Sequence, residues 1–184
     1  MTESVKQRLV QADFGGPTER ELQALLAAVQ ADLAHTSDRL ASQTVATAGL
    51  VITATAGLKV PKIGAADCYA VANGTAVKIA AGTDMPALVG SVTNAKFNVF
   101  CFYVDSAGTV TSAMGTEGAT LAAVAWPATP SYKAIVGFII VNPTGTGNFV
   151  GGTTALNDGT VIPNTAYVSP VGAFDPKTAL NTNV

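Results

Sequence analysis

From residue 44 onward the chain breaks into short apolar runs divided by turn signals, and this pattern confines most of it to an all-β fold. Candidate strands are Leu50–Ala56, Cys68–Ala72, Ala76–Ala80, Lys96–Val104, Thr109–Met114, Thr120–Trp126, Tyr132–Val141 and Ala166–Val171. Asn73-Gly74 between two apolar runs is the strongest hairpin signal, because both residues accept the positive φ of a tight two-residue turn. Asp105-Ser106-Ala107-Gly108 suits a type I turn, with Asp first and Gly last, and Asn157-Asp158-Gly159 marks another turn. Short strands punctuated in this way predict an antiparallel β-sandwich or a jelly-roll-like head over residues 44–172, with a C-terminal tail over 173–184.

Two of these strands lack the usual alternation. In Lys96–Val104 one face carries Phe97, Val99, Cys101 and Tyr103, and the other Asn98, Phe100, Phe102 and Val104. Tyr132–Val141 sets Ala134, Val136, Phe138 and Ile140 opposite Ile135, Gly137, Ile139 and Val141. Antiparallel sheets commonly leave one face to water, so strands apolar on both faces call for a cover on both. The second cover is expected to be another subunit or the helix described next. Phe100, Phe102, Val104, Phe138 and Ile140 are the candidate residues of a head subunit interface.

The residues before position 44 differ in kind. They hold Glu3, Lys6, Arg8, Asp13, Glu19, Arg20, Glu21, Asp32, Asp38 and Arg39, 10 of the 22 charges in the 184-residue chain. Residues 17–43 read as a helix. Pro17 and Thr18 open it, Thr18-Glu19-Arg20-Glu21 matches a capping box, and alanine is abundant behind it. Leu22, Leu26, Val29, Leu33 and Leu40 recur at steps of 4, 3, 4 and 7, with Thr36 in the intermediate place, which is an a/d heptad stripe. Such a stripe is expected to pack either on the β head or on copies of itself. Residues 1–16 form an arm ended by Gly15-Gly16. It reads either as a disordered terminus or as a docking peptide anchored by Val5, Leu9, Val10 and Phe14.

The side chains needed for chemistry are sparse. His35 is the one histidine, no G-x-S-x-G is present, and the two cysteines, Cys68 and Cys101, have no local partner that would lower their pKa. They read as reduced, buried thiols, consistent with residues 1–6 lacking the apolar stretch of an export signal. Gly145-Thr146-Gly147-Asn148-Phe149-Val150-Gly151 has the wrong spacing for a dinucleotide fingerprint. Asp67, Asp84, Asp105, Glu117, Asp158 and Asp175 show no glycosidase framework, and Asp105 and Asp158 are explained by their turns. Asn73-Gly74-Thr75 is better read as the hairpin than as a glycosylation acceptor, and Trp126 as a buried contact than as a ligand-stacking ring. A net charge of −2 gives no footprint for nucleic acid, and the longest apolar run, Ala134–Val141, is too short to span a membrane. The expectation is a protein without enzymatic activity, metal or cofactor.

One stretch has a family likeness. Lys133-Ala134-Ile135-Val136-Gly137-Phe138-Ile139-Ile140-Val141-Asn142, then Asn148-Phe149-Val150-Gly151-Gly152-Thr153-Thr154-Ala155-Leu156-Asn157, then Ala166-Tyr167-Val168, resembles a segment of phage virion structural proteins. The likeness covers roughly residues 90–171 and leaves out the arm and the helix. It implies a capsid decoration or head-fibre protein, a homotrimer on the outer surface of the phage head, held to the major capsid protein by its arm. A trimeric tail fibre or adhesin touching a host receptor or glycan is the alternative it allows. Only the likeness favours three copies over two.

Overall fold

The computed structural model describes residues 18–53 and 60–174, so the arm, residues 54–59 and the tail from 175 lie outside the described residues. The chain divides into two compact units at Ser37/Asp38. The protein is mainly β with one helix and several antiparallel sheets among the described residues.

Helix α1 runs Glu19–Ala41. Its start is the expected capping box: the Thr18 backbone N–H donates to Glu21 Oε2 at 2.6 Å, and the Glu21 N–H donates to Thr18 Oγ1 at 3.3 Å. Each bond satisfies a backbone donor that the first helical turn leaves orphaned. The helix ends two residues short of the expected 43, because Gln43 already belongs to a strand.

The strands are β1 (Gln43–Ala46), β2 (Val51–Ile52), β3 (Pro61–Lys62), β4 (Cys68–Ala72), β5 (Thr75–Ile79), β6 (Ser91–Val92), β7 (Asn98–Val104), β8 (Val110–Met114), β9 (Ala134–Asn142), β10 (Phe149–Val150) and β11 (Asn164–Val168). Two sheets dominate, a three-stranded one in the order β1-β4-β5 and a four-stranded one in the order β11-β9-β7-β8. The pairs β2-β3 and β6-β10 are short ribbons. Asn73 and Gly74 turn β4 into β5 at φ of 50° and 74°, the left-handed pair a two-residue hairpin requires. The expected strand Thr120–Trp126 is instead a 3₁₀ turn, Leu121–Ala123, followed by an isolated bridge between Thr116 and Ala125. Its apolar residues serve as a cover, and Leu121, Val124 and Trp126 pack against the sheet rather than extend it.

The core lies on both sides of β7 and β9. Cys68, Ala70, Ala72, Val77 and Ile79 from the three-stranded sheet share one cluster with Phe100, Phe102, Val104, Ile139 and Val141. A second cluster on the opposite face joins Val99, Cys101, Tyr103, Ile135 and Phe138 to Val124, with Leu121, Trp126, Val168 and Phe174 packed around it. All seven residues of β7 are buried. The cover for the second face, expected from another subunit or from the helix, is therefore supplied by the head's own 115–131 segment and by Phe174.

A bulge decides which residues share a face. The β7–β9 register shifts between Phe102, opposite Gly137, and Tyr103, opposite Ile135, leaving Val136 without a partner. An extra residue reverses the side-chain alternation beyond it. Ala134 and Val136 thus join Ile139 and Val141 in the first cluster, while Phe138 and Ile140 belong to the second.

Candidate functional site

The residues with the clearest unmet physical demand are those of the helix stripe. Leu22, Leu26, Val29, Leu33 and Leu40 are between 51% and 68% exposed, and Leu25, beside them, is 61% exposed. Large apolar side chains scattered singly on a surface need no explanation, but six aligned on one helix do. Solvating a leucine that a partner would bury forgoes about 1.5–3 kcal/mol. Stripe spacing also matters, because i, i+3 and i, i+4 residues stand one above another on one side.

Where the helix ends, the chain is tied down. The Gly74 N–H donates to the Ala41 carbonyl at 2.9 Å, and the Asn73 N–H donates to Ser42 Oγ at 3.0 Å. The hairpin turn therefore satisfies one of the carbonyls that a helix C-terminus leaves without a partner. Arg39, 6% exposed, pairs with Asp38 at 2.5 Å and donates to the Pro130 and Lys133 carbonyls at 3.3 and 3.4 Å. Asp38 Oδ1 accepts from the Tyr132 N–H at 2.9 Å. Sequence reasoning treated Asp38 and Arg39 as ordinary helix charges. The available signal was a cation in the last turn beside an anion, which a solvent-facing helix equally explains.

The proposed head interface takes a different form in the structure. Phe100, Phe102 and Val104 are at most 1% exposed and sit inside the chain's own core, so they present no surface. Phe138 and Ile140 lie on the other side of the sheet from them, because of the bulge. Phe138 is itself covered, edge-on to Trp126 with ring centroids 4.7 Å apart and stacked on Phe174 at 5.6 Å. The five residues do not form one surface. Val5, Leu9, Val10 and Phe14 of the arm lie outside the described residues.

The polar groups have structural roles. Burial pushes the Cys68 thiol up to about 11 and the Cys101 thiol up to about 12, far from a reactive thiolate. Glu117 accepts from the Thr93 N–H at 2.8 Å and from the Thr93 hydroxyl at 2.9 Å, and these bonds hold its carboxyl below the usual range. Asp67 is lowered in the same way by Lys78, at 2.6 Å, and by the Ala81 N–H. Asp105 Oδ1 accepts from the Ala107 and Thr109 N–H groups, and Asp158 Oδ1 from that of Thr160, as turn residues do. Among the described residues no cluster of three or more His, Cys, Asp or Glu is placed to hold a metal ion, and no helix is long and apolar enough to cross a membrane.

No protein-family model matches the chain, and no curated protein or solved structure matches it.

Proposed function

We propose that this chain is a non-enzymatic structural protein of a phage particle, of the capsid decoration or head-fibre type, acting as a homotrimer. The exposed stripe Leu22, Leu26, Val29, Leu33 and Leu40 carries the reading, since association of copies through it buries the largest apolar residues the helix exposes. The head is read as an antiparallel sandwich, its three- and four-stranded sheets meeting across the larger core cluster. The likeness of residues 90–171 to phage virion proteins supports the particle, its outer surface and the count of three. Val5, Leu9, Val10 and Phe14 are assigned to docking on the major capsid protein. Three arms on one lattice multiply a weak contact through effective concentration.

The test is mass by light scattering on the purified chain, followed by its copy number on particles. A trimer present in tens to hundreds of copies on the head supports the proposal. A monomer ends the assembly reading, and a handful of copies at the tail replaces decoration with a fibre or adhesin.

A further inference from the structure

The three-stranded sheet has an outer face of unusual composition. Opposite the core-facing Cys68, Ala70, Ala72, Val77 and Ile79, the strands present Gln43 and Val45 from β1, Tyr69 and Val71 from β4, and Ala76 and Lys78 from β5. A solvent-facing antiparallel sheet is ordinarily polar on this side. Here Val45 is 58% exposed and Tyr69 47% exposed, with half-buried Val71 between Gln43 and Ala76 in the register. A β-bulge between Thr44 and Ala46 leaves Val45 unpaired. Lys78, the one charge on the face, is neutralised by Asp67 at 2.6 Å. Together Val45, Tyr69, Val71, Ala76 and Lys78 line a shallow open depression.

This face continues the helix stripe. The heptad step after Leu40 falls on residue 43, and Gln43 donates its side-chain N–H to the Leu40 carbonyl at 3.1 Å. Gln43 lies opposite Val71 in the β1–β4 register, next to Tyr69 opposite Ala46. The stripe thus passes from the exposed Leu40 through Gln43 onto Val71, Val45 and Tyr69 without a change of side.

We propose that the outer face of β1-β4-β5 is where the head of one copy meets a second copy of this chain. Its size argues for that occupant. Three strands of about five residues span roughly 14 by 17 Å, or ~240 Å², from ordinary strand spacing and rise. A stable independent interface needs about 800 Å² from each partner. The face is too small to capture a separate protein unaided, and it suits a contact made between chains already held together, where effective concentration is high. The inference rests on the assembly reading above.

The test uses the full chain with the photo-crosslinker p-benzoylphenylalanine in place of Tyr69, and in a control in place of the exposed loop residue Asn157. Irradiation is expected to give a covalent band of two chains from position 69 and none from 157. Tyr69→Ser, at an exposed site where folding is unaffected, is expected to raise the concentration of half-dissociation roughly tenfold, the loss of one buried aromatic contact. A wild-type chain that scatters as a multimer but gives no chain-to-chain crosslink from position 69, or crosslinks there only to capsid protein, overturns this inference and leaves the assembly reading standing. A monomer in solution removes both.

Discussion

Arg39 lies 6% exposed between Asp38 and the carbonyls of Pro130 and Lys133, so its charge is matched on several sides. Removing one partner of such a pair leaves the other uncompensated, which typically costs 3–5 kcal/mol. Arg39→Ala is therefore expected to lower the urea midpoint of the head by an amount equivalent to about 3 kcal/mol, read by circular dichroism; a change below about 1 kcal/mol would show that the pair is not structural. The cysteines give a second test at this scale. With thiol pKa values near 11 and 12, Cys68 and Cys101 are expected to stay unmodified by Ellman's reagent at pH 8 until urea unfolds the chain. Rapid colour in the native protein would contradict their burial. Glu117 and Asp67 have folded pKa values below their unfolded ones. Their contribution is complete above the unfolded carboxylate pKa and is lost as pH falls through the lowered folded value. Carboxyl NMR titration is expected to show both protonating below the other exposed carboxylates. Turn carboxylates were legible in the sequence because Asx turns are local. Glu117 was not, since its partner Thr93 is 24 residues away and nothing local marks the pairing.

At the scale of elements, local signals were readable and long-range ones were not. The capping box, the heptad stripe, the Asn73-Gly74 hairpin and strands such as Cys68–Ala72 each depend on residues within a few positions of one another. The bulge in β9 depends on a partner strand far along the chain, so the division of Tyr132–Val141 into two faces by strict alternation went astray. For the same reason a cover segment was mistaken for a strand at Thr120–Trp126: alternating apolar residues look alike whether they line a ladder or a lid. Gly137 sits next to the bulge, and a Cβ there would come within 2.6 Å of Leu50 Cδ1. Gly137→Ala is expected to destabilise the head by about 2 kcal/mol through overpacking, measured by denaturant unfolding, with a neutral result ruling the contact unimportant. The stripe has its own test. Leu26→Gln combined with Leu33→Gln is expected to convert the assembled species to a smaller one by size exclusion while the head's thermal transition persists. Unchanged elution would remove the stripe from the assembly.

For the whole molecule, the two-faced strands no longer argue for a neighbouring subunit, because the chain closes both faces itself. The case for assembly passes to the helix stripe and to the outer face of the small sheet. Deleting residues 1–16 is expected to abolish binding to purified capsids and leave the oligomer intact. Stoichiometric binding by the truncated chain would sink the docking role of the arm. The closing of the helix end has a consequence for the order of events at the ribosome. Arg39 finds its carbonyl partners 91 and 94 residues further along the chain. At about 5–20 residues added per second, roughly 5–20 s of translation pass before those partners are made. Throughout that interval the apolar stripe has left the ribosome and the head that follows it is unfinished, so neighbouring nascent chains on one message meet helix first.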